Sequence, residues 1–163
     1  MARKSAADIE PNVIDDATLR GFVGYNMKRA YMSLQNDLLA VLDEFDLRLS
    51  SFSALVLIAD NPDMTQSQLA AALNIEPSGV VLLVDDLESR ELITRNKVPG
   101  DRRTYALRVT LAGARLRDKA IAEIHAHEDR FLGKMTADQR TTLIDLLNRI
   151  ESDLASEASR KSR

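Results

Sequence analysis

Two short apolar segments joined by three residues constrain this chain more than any other feature. Thr65-Gln66-Ser67-Gln68 has the T-x-x-Q pattern of a capping box. In that device the first hydroxyl and the fourth side chain satisfy backbone N–H groups that a helix start leaves free. The box predicts a short helix carrying Leu69, Ala70, Ala71 and Leu73, which Asn74 stops. Pro77 suits the first turn of a new helix, where its missing N–H has no partner to lose. Val80, Leu83, Val84 and Leu87 then recur in steps of three and four, so they share an inward face. Two helices separated by Asn74-Ile75-Glu76 have the spacing of a helix-turn-helix.

Beyond Glu91 the period falls to two. Leu92 to Val98 has β character, Pro99-Gly100-Asp101 is a turn signal, and Tyr105, Leu107 and Val109 alternate with Thr104, Ala106 and Arg108. This predicts a β-hairpin with its tip at Pro99 to Arg103. The charge distribution singles out the same segment. From Arg95 to Arg108 five bases (Arg95, Lys97, Arg102, Arg103, Arg108) face one acid, Asp101, although the chain as a whole carries −3. The first 64 residues hold ten acids and six bases. A net negative chain is no general nucleic-acid coat, but a local basic patch remains open to it.

The flanks read as helices. Residues 1–13 are polar and show no apolar period, as in a mobile arm. Asp15 or Asp16 caps a long helix, with Ile14 and Leu19 as a hydrophobic staple. Its stripe is Leu19, Val23, Met27, Ala30, Leu34, Leu38, Val41 and Phe45, widened by Phe22, Tyr31, Leu39 and Leu42. One small domain cannot cover so wide and long an apolar face, which predicts a second chain against it. Ser50 or Ser51 caps the next helix, which stops before Pro62. Thr110 caps a helix from Leu111 to about Leu132. Thr136-Ala137-Asp138-Gln139 is a second capping box, opening a last helix with Leu143, Leu147, Ile150 and Leu154. The tail from Ser156 is expected to fray.

With 163 residues, 45% of them hydrophobic and 29% charged, the chain is globular, with length for one domain of ordinary size or one domain with long helical extensions. It contains no cysteine, which excludes disulfides, thiolate metal sites, cysteine nucleophiles and thiol switches. No apolar run is long enough to span a membrane, and no apolar segment follows Met1 to Ser5. The expectation is a cytoplasmic protein. No nucleophile–base pair or phosphate-cradling glycine loop stands out, so no enzyme activity and no cofactor are expected.

The fold class is therefore mainly α with a small β-hairpin wing: a winged helix-turn-helix over residues 49–110, and a helical dimerisation region over 14–48 and 111–158. The parts suit double-stranded DNA. The second helix of the motif fits the major groove, and a hairpin tip offers arginine to the backbone or the narrow minor groove.

Taken together, Leu69-Ala70-x-x-Leu73, Val84-Asp85-x-Leu87-Glu88, Leu92-Ile93-x-Arg95, Asp101-Arg102-Arg103 and Val109-Thr110-x-x-Gly113 resemble the MarR family of multiple antibiotic resistance regulators, over about residues 20–155. Gly24-Tyr25-x-x-x-Arg29-Ala30 resembles a branch that often controls aromatic-acid catabolism. The resemblance implies an obligate homodimer. Its two winged helices address half-sites of a pseudo-palindrome about 34–36 Å apart. It also implies a repressor that a small molecule releases from DNA. The effector implied is a phenolic acid or an aromatic acyl-CoA.

In the family's wing motif D-x-R, here Asp101 and Arg103, the aspartate orients the arginine into the minor groove, and Arg102 contacts phosphate. Arg95 and Lys97 are placed for phosphate. Arg90 either contacts phosphate or complements the helix dipole. Ser78, Gly79, Val81 and Leu82 form the start and outer face of the recognition helix, with Ser78 as the best donor. Thr65 caps its helix, and Gln66 is a candidate phosphate contact. Many family members carry arginine where this chain has Leu82, a base at Asp86 and glycine at Glu91. A left-handed backbone at Glu91 would cost about 1 kcal/mol. Tyr25, Arg29, Met32 and Asn36 share one helix face and are the effector candidates. His125 and His127, two residues apart, point to different sides of a helix and give no metal site. The competing reading is a winged-helix dimer that works mainly through a protein partner and binds DNA weakly.

Overall fold

The computed structural model describes residues 15–98 and 101–161, and only the backbone of residues 98, 101–104, 154–159 and 161. The arm at 1–13, the Ile14 staple and the turn residues Pro99 and Gly100 lie outside the described residues. The chain forms two compact units, Met1–Asn36 and Asp37–Arg163.

In the first unit the expected single long helix is broken. Helix α1 is Ala17–Arg20, and α2 begins at Val23 and runs to Asp43. At the break Gly21 and Phe22 make tightened bonds to Thr18 and Leu19 carbonyls. Asn26 Nδ2 donates to the carbonyls of Arg20 and Phe22 at 2.8 and 2.9 Å. That amide satisfies the Arg20 carbonyl and adds a second bond to the Phe22 carbonyl, which already accepts from Asn26 N–H at 3.2 Å, so it pins the break. Asp15, not Asp16, accepts the first backbone bond, from Ala17 N–H.

The second unit holds the C-terminal end of α2, then α3 (Leu49–Asp60), β1 (Met64–Thr65), α4 (Gln66–Leu73), α5 (Pro77–Ser89), β2 (Ile93–Val98), β3 (Asp101–Val109), α6 (Leu111–Leu132) and α7 (Ala137–Lys161). The order of α4, α5, β2, β3 and α6 and the bounds of the helices follow the sequence pattern, whereas β3 begins at Asp101, inside the segment expected to be the hairpin tip. Helix α3 differs at its start. Its N-cap is Arg48, without a side-chain bond, and Ser51 is buried inside the helix. The preceding turn sets that start instead. Asp46 adopts φ 53°, Leu47 N–H donates to Leu42 O, and Leu42 and Leu47 are buried together with Ala120. This is a left-handed C-cap with its apolar contact.

The sheet is antiparallel and has three strands, in the order β1-β3-β2. Only two strands were expected. β1 contributes just Met64 and Thr65, opposite Leu107 and Ala106, too short to show a period. Ala106, which alternates with Leu107, is buried as well. The main core joins Leu55 and Ile58 of α3, Leu69 of α4, Val80, Val84 and Leu87 of α5, and Leu92, Ile93 and Leu107 of the wing.

Three caps stand as expected. Thr65 forms the full capping box with Gln68, Thr110 accepts from Gly113 N–H at 3.0 Å, and Thr136 pairs reciprocally with Gln139. Asn74 closes α4 in the left-handed region. Helix α7 continues to Lys161, past the point where fraying was expected. Its apolar residues Leu143, Ile144, Leu146, Leu147 and Ile150 are all exposed on the single chain.

Two backbone positions join α5, the wing and α6. Glu91 follows α5 at φ 57°, with Leu92 N–H bonded to Leu87 O, so the left-handed turn is present and glutamate is strained there. Gly113 packs against that turn, and a Cβ on it would sit 2.0 Å from the Leu92 carbonyl oxygen. Glu91→Gly is expected to stabilise the fold by about 1 kcal/mol. Gly113→Ala should destabilise it by about 3 kcal/mol. Urea midpoints at fixed protein concentration check both.

Candidate nucleic-acid interface

Helix α5 turns Val80, Leu83, Val84 and Leu87 into the core, which leaves Ser78, Leu82, Asp85 and Ser89 along the opposite ridge at steps of four, three and four. Leu82 is 71% exposed and Val81, beside the ridge, 43%. Ser78 is exposed and Gly79 half-buried. At the start of α4, Thr65 is committed to its cap, accepting from Gln68 N–H at 3.2 Å, and Gln66 is half-buried.

The acids of α5 are not free charges. Arg95, on β2, donates Nε to Glu88 Oε2 at 2.8 Å and Nη2 to Asp85 Oδ1 at 2.5 Å. Its backbone N–H reaches Glu88 Oε1 at 3.3 Å. The bond from Arg95 holds the Glu88 carboxyl below the usual glutamate range, against the opposing effect of desolvation. The same bond to Glu88 pushes the guanidinium further up. The base of the wing is thus braced to the recognition helix by one arginine and two carboxylates. Asp85 and Glu88 stand one turn apart on α5, and the sequence reading used that spacing only as a family motif, without pairing it to Arg95.

Two more cations are committed within the fold. Arg108 Nε and Nη2 grip both oxygens of Asp63 at 2.6 and 2.7 Å, and the hydrogen bond lowers the Asp63 pKa. Arg90 donates to the carbonyls of Asp46 and Phe45 at 2.7 and 3.4 Å and lies 3.8 Å from Asp86. It ties the end of α5 to the α2–α3 turn, a role different from both that were weighed for it. Lys97 is exposed opposite Tyr105, and no described carboxylate pairs with it. Asp101, Arg102 and Arg103 continue β3, with a register shift after Lys97 that sets Val98 opposite Asp101. Their side chains lie outside the described residues. Of the five bases in the segment, the two at the wing's foot are neutralised locally.

The effector candidates all lie in the first unit. Tyr25 Oη donates to Asp16 Oδ2 at 2.8 Å, and Arg20 sits 5.7 Å from the centre of its ring. The hydrogen bond raises the Tyr25 pKa and lowers that of Asp16. Arg29, Met32 and Asn36 are exposed on the following turns of α2. In the second unit an open apolar groove of about 550 Å³ lies among α3, α4 and α6, lined by Phe52, Val56, Leu73, Ile121 and Ile124. His127 is buried beside Phe131, its Nε2 3.8 Å from Asp37, whereas His125 is exposed near Glu128. Among the described residues no group of three His, Asp or Glu converges.

Comparison with known proteins places this geometry. A model of the MarR family matches residues 47–105. A protein assigned as transcriptional regulator of the hcr operon in Thauera aromatica is 34% identical over 99 residues, 61% of this chain and 60% of that protein. The chain thus spans less than two thirds of that relative in the match. The solved structure of the transcriptional repressor CouR bound to a 23-mer DNA duplex is 31% identical with a TM-score of 0.78, covering 85% of this chain and 98% of that one. CouR from Rhodococcus jostii RHA1 bound to p-coumaroyl-CoA is 32% identical with a TM-score of 0.71, covering 81% and 93%. In a further solved structure, a MarR-family regulator from Rhodococcus sp. RHA1, the identity is 30% and the coverage 83% and 96%, with a TM-score of 0.74.

The Arg95 brace has a signature in pH. The depressed Glu88 pKa means the folded state gains from the ionised carboxylate. That stability is present in full above the unfolded glutamate pKa and is lost as pH falls through the lower folded value. Arg95→Met should lower stability at neutral pH by up to about 1 kcal/mol, since the carboxylates are part-exposed and screened. The gap from the parent should close as pH falls below the ordinary glutamate range. Urea unfolding from pH 7 to pH 3 checks this.

Proposed function

We propose, on the premise that this chain belongs to the MarR family, that it is a homodimeric, sequence-specific DNA-binding repressor released from a pseudo-palindromic operator by an aromatic effector. The carrying observation is the charge arrangement. The wing's foot is ion-paired to α5 and to the α3–β1 turn, Lys97 farther along β2 pairs with no described carboxylate, and the sequence adds Arg102 and Arg103 to the same hairpin. A rigid foot with a basic tip suits minor-groove and phosphate contact while α5 lies in the major groove.

In this reading residues 49–110 form the DNA-binding region. Ser78, Gly79, Val81 and Leu82 meet the major groove. Gln66, with Thr65 capping its helix, stands at the phosphate backbone. Asp101 orients Arg103, and Arg102 and Lys97 contact phosphate. Arg95 acts first as the brace that aims them. Residues 14–48 and 111–158 form the dimerisation region, an assignment supported by the exposed apolar residues of α2 and α7. A partner covering them removes apolar area from water at about 25 cal/mol per Å².

The effector class we favour is an aromatic acyl-CoA, or the phenolic acid from which one is made. It rests on the Gly24-Tyr25-x-x-x-Arg29-Ala30 pattern and on the likeness to CouR, which is solved with p-coumaroyl-CoA. The exposed Arg29, with Tyr25, Met32 and Asn36 nearby on α2, offers a cation and apolar surface to such a ligand.

The test is binding of the purified chain to DNA immediately upstream of its own coding region, with and without phenolic acids and their coenzyme A thioesters. Tight binding released by a thioester is expected. Arg103→Ala should weaken that binding about tenfold or more. Binding that no aromatic compound releases would overturn the effector class. Unchanged affinity in Arg103→Ala would overturn the wing assignment.

A further inference from the structure

We infer that α5 reads thymine methyl groups through Leu82, so that the operator pair facing this residue must be A·T or T·A. The inference rests on the DNA-binding reading above and goes beyond it to how bases are chosen.

The argument begins with what α5 lacks. From Pro77 to Ser89 it contains no arginine, lysine, asparagine, glutamine or histidine. The side chains that make two-point contacts to the edges of guanine or adenine are therefore absent from the helix. Three chemistries remain. Serine hydroxyls bond to any base edge or phosphate and discriminate little. A carboxylate accepts from the cytosine amino group, but Asp85 is held by Arg95 at 2.5 Å, and Asp86 lies 3.8 Å from the Arg90 guanidinium. Apolar contact is the third, and the C5-methyl of thymine is the apolar group that base edges present in the major groove.

Leu82 is placed for it. A singly exposed leucine is ordinary on a protein surface, so its position carries the weight here. It stands between Ser78 and Asp85 on the ridge directly opposite the buried face, is 71% exposed, and has Val81, 43% exposed, beside it. The middle of the helix is thus apolar where it projects furthest from the core. The buried Val80, Leu83 and Val84 on the reverse side fix the rotation of the helix and keep Leu82 outward.

The experiment uses the full chain and an operator selected from random duplexes. Each thymine of the selected site is replaced, one at a time, by uracil, which removes only the methyl group. One thymine in each half-site should then cost about fourfold in affinity, the effect of losing one buried methyl. With Leu82→Ala, an exposed position where folding is not at risk, the same replacement should cost less than twofold, and the salt dependence of binding should be unchanged. If no single replacement weakens binding, or if the loss is as large in Leu82→Ala as in the parent, the Leu82 inference is overturned while the repressor reading stands. If no duplex is enriched at all, both are overturned.

Discussion

The foot of the wing is welded to α5. Leu87 at the end of α5, Leu92 and Ile93 at the start of β2, and Leu107 on β3 are all buried in one cluster with Val80 and Val84. Each such side chain contributes about 1.5–3 kcal/mol on burial. The partly exposed pairs of Arg95 with Asp85 and Glu88 contribute up to about 1 kcal/mol. The apolar weld therefore supplies the strength, and the ion pairs supply direction. Neither would hold without the backbone turn between them, where Glu91 accepts a left-handed conformation and Gly113 lets α6 approach the Leu92 carbonyl.

That weld explains how an acidic chain serves a polyanionic partner. Five acids around the winged helix are engaged by the arginines that anchor it: Asp63 on Arg108, Asp85 and Glu88 on Arg95, Asp86 and Asp46 near Arg90. Lys97, Arg102 and Arg103, the bases of the hairpin proposed for DNA, follow Arg95 and precede Arg108 in the sequence. The proposed division of recognition follows from this, with charge on the wing and an apolar, weakly polar ridge on α5.

Much of this was legible in the residues. The Thr65 and Thr136 boxes, the Thr110 cap, Asn74 and Pro77 punctuate helices by local chemistry, and local chemistry is what a sequence displays. The period of four inward residues on α5 was equally plain. What stayed hidden depends on residues distant in sequence. The Arg108–Asp63 pair and the two-residue strand β1 join segments more than forty positions apart. The break at Gly21 turns on one amide, Asn26, reaching back to two carbonyls. The start of α3 at Leu49 was missed because the serines of that segment looked like caps, whereas the turn at Asp46 and the burial of Leu47 decide it. The basic residues of the hairpin were legible as types, but not that the fold itself engages Arg95 and Arg108.

The most direct test of this division of charge is the slope of log affinity against log salt for operator binding. It should be compared between the parent chain and a variant with Arg102→Ala and Arg103→Ala. Each phosphate neutralised contributes about −0.9 to that slope. A steep negative slope that becomes shallower by about two units or more per dimer in the variant is the expected result, since each protomer loses the Arg102 phosphate contact and the minor-groove cation Arg103. A slope near zero in the parent, or one that the variant leaves unchanged, would contradict a wing whose tip carries the DNA charge.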